Sequence, residues 1–280
     1  MSQPRNETAT MSSRSFHFVA ACFATALIAG ARAEEPSAPR PLSQAHAHND
    51  YWHERPLLDA LDHGFCSVEA DIYLVDGKLL VGHDRHELKS ERSLAALYLD
   101  PLRDRVRSNR ARIYATEARF FLLVDVKSDA EATYAALHEL LARYDDLLTK
   151  VDGQNVREGA VTVVVSGNRA EKSIRSQKSR YAGIDGRPAD LDKTDPAHAL
   201  PWISENWNNQ FRWKGDGPMP EDERAKLRDY VAKAHRHGRL VRFWATPENE
   251  AVWKELLAAN VDLIGTDDLG RLQRFLLQQK

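Results

Sequence analysis

Cysteine is almost missing from this sequence. There are two in 280 residues, Cys22 and Cys66. Cys22 lies in an N-terminal apolar run and is expected to leave with it, so Cys66 stands alone and an intramolecular disulfide is excluded. Set in an apolar stretch, Cys66 reads as a small buried hydrophobe and not as a nucleophile. An excess of either charge is missing as well: 39 Lys and Arg face 41 Asp and Glu, a formal net charge of −2. Proteins that hold nucleic acid by bulk electrostatics show a basic surplus, so that class of partner is excluded. No apolar run reaches the roughly 20 residues that a membrane-spanning helix needs, which leaves at most peripheral membrane contact. Internal repeats and low-complexity tracts are absent too. What remains is ordinary for a globular protein, 42% hydrophobic and 29% charged residues, enough to bury a sizeable core.

The N-terminus has its own organisation. Arg14 precedes the apolar run 16–28, and Ala31-Arg32-Ala33 places small residues where a signal peptidase cuts. Positive, apolar and cleavage regions in that order predict a secretory signal over residues 1–33, and hence an exported protein, periplasmic or secreted. Val19-Ala20-Ala21-Cys22 loosely resembles a lipoprotein attachment site, a second reading weakened by the short apolar stretch before it. A Pro-rich linker with Pro36, Pro39 and Pro41 fills 34–41. The remaining 42–280 is close to the roughly 250 residues of a single eightfold barrel.

Short apolar segments alternate with longer helical patterns along that region. Segments 68–74, 120–126, 160–165, 240–245 and 261–265 are almost continuously apolar or β-branched, as parallel strands covered on both faces are. Segments 42–48, 181–184 and 202–206 are weaker candidates and bring the total to eight. Between them, 130–148, 221–237, 248–259 and 269–279 read as helices, with Asp129 as N-cap of the first and Gly238 closing the second. Strand followed by helix, repeated with right-handed crossovers, gives an α/β protein, either a closed (β/α)8 barrel or an open doubly wound sheet. The count of eight and the length favour a single-domain TIM-type barrel. After the second strand, Asp76-Gly77 between two apolar runs predicts a β-hairpin that turns His83 back toward Glu69 and Asp71.

Glu69 and Asp71 are two apart on a strand and share one face, about 6.8 Å apart along the chain. Facing into a barrel, two carboxylates would repel unless a cation sat between them, and oxygen-only ligands suit Mg²⁺ or Ca²⁺. On a solvent-facing strand the same acids would merely be solvated. Asp125 and Lys127 repeat the geometry on an internal strand, either pairing with each other or adding a third metal ligand and an anion-holding ammonium. All four fall at C-terminal strand ends, where barrel enzymes carry their functional residues. His46 and His48 share a face at the end of the first strand and are acid–base candidates alongside His83.

In order, His46, Ser67-Val68-Glu69-Ala70-Asp71, Asp76-Gly77 and Leu80-Val81-Gly82-His83-Asp84 resemble the PLC-like phosphodiesterase superfamily. That superfamily comprises glycerophosphodiester phosphodiesterases, phosphatidylinositol-specific phospholipases C and sphingomyelinase-D-like enzymes. Leu123-Val124-Asp125-Val126-Lys127 is similar to its strand with a third metal ligand, and Val241-Arg242-Phe243-Trp244 and the stretch from Asn260 to Asp267 also fit. Through His48-Asn49-Asp50-Tyr51 the chain is most similar to proteins related to the yeast altered-inheritance-of-mitochondria protein 6. Two departures stand out: Ala47-His48 follows His46 where glycerophosphodiesterases carry Arg-Gly, and Asp125 replaces Glu. The resemblance implies a metal-dependent phosphodiesterase in which Glu69, Asp71 and Asp125 hold a divalent cation, Mg²⁺ or Ca²⁺. It implies His46 and His83 as the catalytic pair, with His48 able to replace His46, and Asp84 orienting His83. Lys127, His48, Asn49 and Trp244 would contact a small-molecule or lipid phosphodiester. Two other classes compete: a barrel that has lost catalysis and binds a ligand or partner, and a zinc hydrolase using His46, His48 and Glu69.

Overall fold

Side chains alternate across a strand, so a closed sheet sorts each strand's residues into those facing the axis and those facing the surrounding helices. The computed structural model describes residues 38–279 together with Met1, so the expected signal over 1–33 and the first half of the linker lie outside the described residues. Among the described residues the strands are β1 (Leu42–Ala47), β2 (Phe65–Val75), β3 (Lys78–Val81), β4 (Phe120–Val126), β5 (Lys150–Asp152) and β6 (Asn155–Arg157). They continue with β7 (Val161–Gly167), β8 (Ser179–Arg180), β9 (Ala182–Gly186), β10 (Trp202–Asn206), β11 (Leu240–Trp244) and β12 (Leu263–Thr266). The helices are α1 (Leu58–Asp62), α2 (Asp100–Ser108), α3 (Ala130–Ala142), α4 (Glu171–Ser176), α5 (Trp207–Gln210), α6 (Glu221–Arg236), α7 (Glu250–Ala258) and α8 (Leu269–Gln278).

Eight of the strands form a parallel barrel in the order β1-β2-β4-β7-β9-β10-β11-β12. It closes on β1, where Ala47 lies opposite Val68 of β2 on one side and Thr266 of β12 on the other. The eight expected strands are these eight. The hairpin also forms: β3 runs antiparallel to β2 with Val75 opposite Lys78. Asp76 (φ 47°) and Gly77 (φ 75°) both take left-handed backbone, as a two-residue turn between twisted strands requires. A small side sheet of β5, β6 and β8 has no counterpart in the sequence expectations.

Helix ends follow local chemistry. The Asp129 carboxylate accepts from Ala132 N–H (2.9 Å) at the start of α3, and Gly238 (φ 70°) lies just past the end of α6. The helix expected over 130–148 stops at Ala142 instead. Its remaining apolar residues Tyr144, Leu147 and Leu148 stay buried in turns, because Leu148 already bridges to Val161 and the chain has begun to join the sheet.

Two apolar regions result. Val68, Ala70, Ile72, Leu122, Val124, Val126, Val163 and Val165 belong to the large core outside the barrel, packed with residues of the helices. Phe121, Leu123, Val164, Trp202 and Leu263 form a separate cluster on the axis, a plug inside the barrel. Cys66 is buried, and burial pushes its thiol up to about 12, in keeping with a packing role. Leu123 is fully enclosed in the plug, so Leu123→Ala should lower unfolding free energy by about 2–5 kcal/mol in denaturant titrations.

Candidate active site

Above the plug, the same inward face turns polar. Successive axis-facing positions place Ser67, Glu69 and Asp71 on β2, Asp125 on β4, Ser166 on β7, Asp185 on β9 and Arg242 on β11. Together with His48, Asn49, His83, Lys127, Gly167, Arg187 and Trp244, most of them line a cavity of about 270 Å³ at the C-terminal ends of the strands. The hairpin brings His83 to this wall.

The deepest layer is an ion network. Glu69 is buried, and its Oε2 accepts from the Arg242 guanidinium (2.5 Å) and from His46 Nε2–H (3.1 Å). Burial alone would raise the Glu69 pKa, but Arg242 and the His46 hydrogen bond outweigh it and hold the carboxyl well below the usual range. With Nε2 donating, His46 Nδ1 accepts from the Ser67 hydroxyl at 2.7 Å. Burial, helped by the charge of Arg242, lowers the imidazole to about 4, so His46 stays neutral.

The next layer holds the other acids. Asp71 Oδ2 is shared by the Tyr51 hydroxyl (2.8 Å), His83 Nδ1–H (3.1 Å) and Lys127 Nζ (3.2 Å). Lys127 also reaches Asp125 Oδ2 at 3.3 Å. Burial would lower Lys127, but Asp125 and Asp71 raise it above its ordinary value. Burial chiefly, with neighbouring negative charge, raises Asp71 and pushes Asp125 up to about 6. Asp71 Oδ1 and Asp125 Oδ1 are buried without a hydrogen-bond partner among the described residues. Glu69, Asp71 and Asp125 each bring a ligand atom to within 4.8 Å of the others. Orphaned carboxylate oxygens grouped so closely fit a hard divalent cation.

His48 stands at the mouth. Its Nδ1–H donates to Asp267 Oδ1 at 2.8 Å, and the Asn49 side-chain amide lies 3.0 Å from the same nitrogen. Burial works to lower its pKa, yet Asp267 and the Glu69 charge raise it above the ordinary histidine value. On the far wall, Asp185 is fully buried, and its Oδ2 accepts from Ser166 Oγ and Arg187 Nη1, each at 2.8 Å.

A family model described as the AIM6-like phosphodiesterase domain matches residues 40–184, and one described as the glycerophosphoryl diester phosphodiesterase family matches residues 241–270. The chain belongs to the AIM6-like phosphodiesterase family. Altered inheritance of mitochondria protein 6 of Eremothecium gossypii is 30% identical, covering 84% of this chain and 69% of that protein. A homolog of it in Arthroderma benhamiae is 27% identical over 80% of this chain and 81% of that one. A crystal structure of a glycerophosphodiester phosphodiesterase from Parabacteroides distasonis shares the fold, with a TM-score of 0.52 at 14% identity over 86% of this chain and 99% of that one.

For this member of the family, the structure brings Glu69, Asp71, Asp125, Lys127, His48, Asn49, His83 and Trp244 to one cavity. Two expectations need correction. His46 is completely enclosed, with both ring nitrogens bonded to Ser67 and Glu69, so it does not face the cavity and His48 does. Asp84 does not orient His83: among the described residues the ring is held by Asp71 and Tyr51, while Glu87 accepts from the His83 backbone N–H at 2.8 Å. Asn49 is buried at the cavity wall with its amide engaged by His48 and Tyr51. No role was assigned from sequence to Arg242, Arg187, Asp185 and Tyr51, although Arg242 and Tyr51 stand in the quoted motifs. For the first three the signal was there: charged residues at strand ends in the parity of Glu69 and Asp71.

Gly167 (φ 66°) closes against Asp125, since a Cβ there would fall 1.9 Å from Asp125 Oδ1. Gly167→Ala should therefore displace that carboxylate and weaken divalent-ion affinity about 10-fold or more by calorimetry. His46 gives a second prediction, for protein freed of metal by a chelator. The folded imidazole titrates near 4 and the unfolded one near 6.5, so between these values only the unfolded chain binds the proton. Stability is fully present above the unfolded pKa and falls by about 3 kcal/mol as pH drops through this window. His46→Gln, which keeps a donor for Glu69, should lose that part of the slope in denaturant titrations at each pH.

Proposed function

We propose that the chain is a phosphodiesterase dependent on a divalent cation, Mg²⁺ or Ca²⁺, and that His48 and His83 form its acid–base pair. Its substrate would be a small-molecule or lipid phosphodiester, glycerophosphodiesters and phospholipid headgroups included. The observation that carries this reading is the single cavity whose wall combines the Glu69, Asp71 and Asp125 group with Lys127, Arg187, Arg242 and two histidines.

A cation on those three acids would offset charge developing on phosphorus. Lys127 presents an ammonium beside them for a phosphate oxygen. Each histidine has Nδ1 anchored on a carboxylate, His48 on Asp267 and His83 on Asp71, which directs the remaining Nε2 toward the reactants. One Nε2 takes the proton of the attacking hydroxyl and the other returns a proton to the leaving oxygen. Charge balance supports a diester. The three acids, Lys127, Arg242 and the Arg187–Asp185 pair leave one net negative charge, which a divalent ion and a singly charged diester bring to neutrality. A doubly charged monoester would leave the site negative.

The zinc alternative finds no support. His46 and His48 sit in separate hydrogen-bond networks, and among the described residues neither joins a group of metal-competent side chains. Export remains a proposal resting on the N-terminal sequence alone.

The test is a panel of glycerophosphodiesters, lysophospholipids, sphingomyelin and phosphoinositides, each with Mg²⁺ or Ca²⁺. Turnover should vanish with EDTA and return with the ion, and His48→Ala and His83→Ala should each lower kcat by about 10²- to 10⁴-fold. Near-wild-type turnover in either variant would sink the histidine pair. Ion binding with no hydrolysis of any diester would instead leave a ligand-binding barrel.

A further inference from the structure

The turn after β1 delivers more to the site than His48. Asn49 takes left-handed backbone (φ 47°), and a short 3-10 turn, Asp50–Trp52, follows. The Asp50 carboxylate pins this turn by accepting from Leu57 N–H at 2.6 Å, and Arg92 donates to the Tyr51 carbonyl at 2.5 Å. So held, Tyr51 is 2% exposed and does not line the cavity, yet its hydroxyl meets three site residues. It lies 2.8 Å from Asp71 Oδ2, 2.8 Å from the Asn49 amide and 3.3 Å from His83 Nδ1.

A tyrosine hydroxyl has one proton and two lone pairs. The charged Asp71 oxygen is the stronger acceptor and takes the proton. The Asn49 side-chain amide bridges Tyr51 and His48, 2.8 Å from the phenol oxygen and 3.0 Å from His48 Nδ1. A path runs from Asp267 through His48, Asn49 and Tyr51 to Asp71, where His83 and Lys127 also converge.

We propose that Tyr51 is a positioning residue that couples the ion-binding carboxylates to the acid–base pair. Three donors crowd Asp71 Oδ2, which fixes the carboxylate plane and leaves Oδ1 as the oxygen turned to the ion. Through Asn49 the same hydroxyl sets the ring of His48. The inference rests on the proposed reaction for its kinetic half and on the acid cluster alone for its ion-binding half.

The test uses the full chain and the variants Tyr51→Phe and Asn49→Gly, the second chosen because glycine accepts the left-handed backbone. Tyr51→Phe should bind Mg²⁺ or Ca²⁺ about 10-fold more weakly in calorimetry with the metal alone. At saturating ion it should also lower kcat about 10- to 100-fold with KM within about twofold. Asn49→Gly should lower kcat and leave ion affinity unchanged, separating the two branches. Ion affinity in Tyr51→Phe equal to that of the wild type, or no ion binding by the wild type, would overturn the proposal. Should the wild type bind the ion but cleave no diester, the proposed reaction fails, while the calorimetric comparison still decides the role of Tyr51. Should Tyr51→Phe weaken the ion and leave kcat unchanged in an active enzyme, the coupling is refuted.

Discussion

A carboxylate does not stay ionised inside a protein without a cation to answer it. Glu69 lies in the middle of this barrel, and Arg242 reaches it from a strand 173 residues further along the chain. His46 completes the arrangement as a neutral donor held in one tautomer by Ser67. Glu69 is paired with Arg242, whereas Asp71 and Asp125, raised chiefly by burial and after it by neighbouring negative charge, Glu69 included, share a lysine. The charge left over at the cavity wall is thus a property of the buried pair beneath it.

The barrel interior divides by height. Below, Phe121, Leu123, Val164, Trp202 and Leu263 pack without polar demands beyond the tryptophan N–H. Above, β2, β4, β7, β9 and β11 each contribute a polar residue in the same parity, so closing the sheet is enough to gather them. No long loop has to order itself to build this site. Its parts sit on strand ends, just past the second strand of a hairpin and on a 3-10 turn pinned by Asp50.

Much of this was legible from residue order. Parallel strands covered on both faces write themselves as short apolar runs, and five of the eight barrel strands carry that mark plainly, the other three weakly. Glu69, Asp71, Asp125 and Lys127 break such runs, and a charge in a run that must be buried has to be answered by something. Asp76-Gly77 announces its own turn. Depth was not legible: His46 and His48 share a parity, yet one step along the strand separates an enclosed ring from one at the mouth. Nor could residue order say which carboxylate holds His83, because Asp84 is adjacent in the chain while Asp71 is adjacent in space. Arg242 and Arg187 were visible as charges in strand-end positions, but their partners depended on barrel closure. Tyr51 stood in the His48-Asn49-Asp50-Tyr51 stretch without a role, since a turn without periodicity does not say where its side chains point.

The contact between His48 and Asp267 joins residues 219 positions apart, across the seam where β12 meets β1. During synthesis the histidine emerges early and its carboxylate among the last residues made. Until the final strand docks, His48 lacks its partner and Glu69 depends on an arginine that has only just followed. A nascent or C-terminally shortened chain therefore holds the acids and both histidines without the electrostatic frame that organises them. The electrostatic frame of the site is tied to completion of the fold, as a lock is to the last pin.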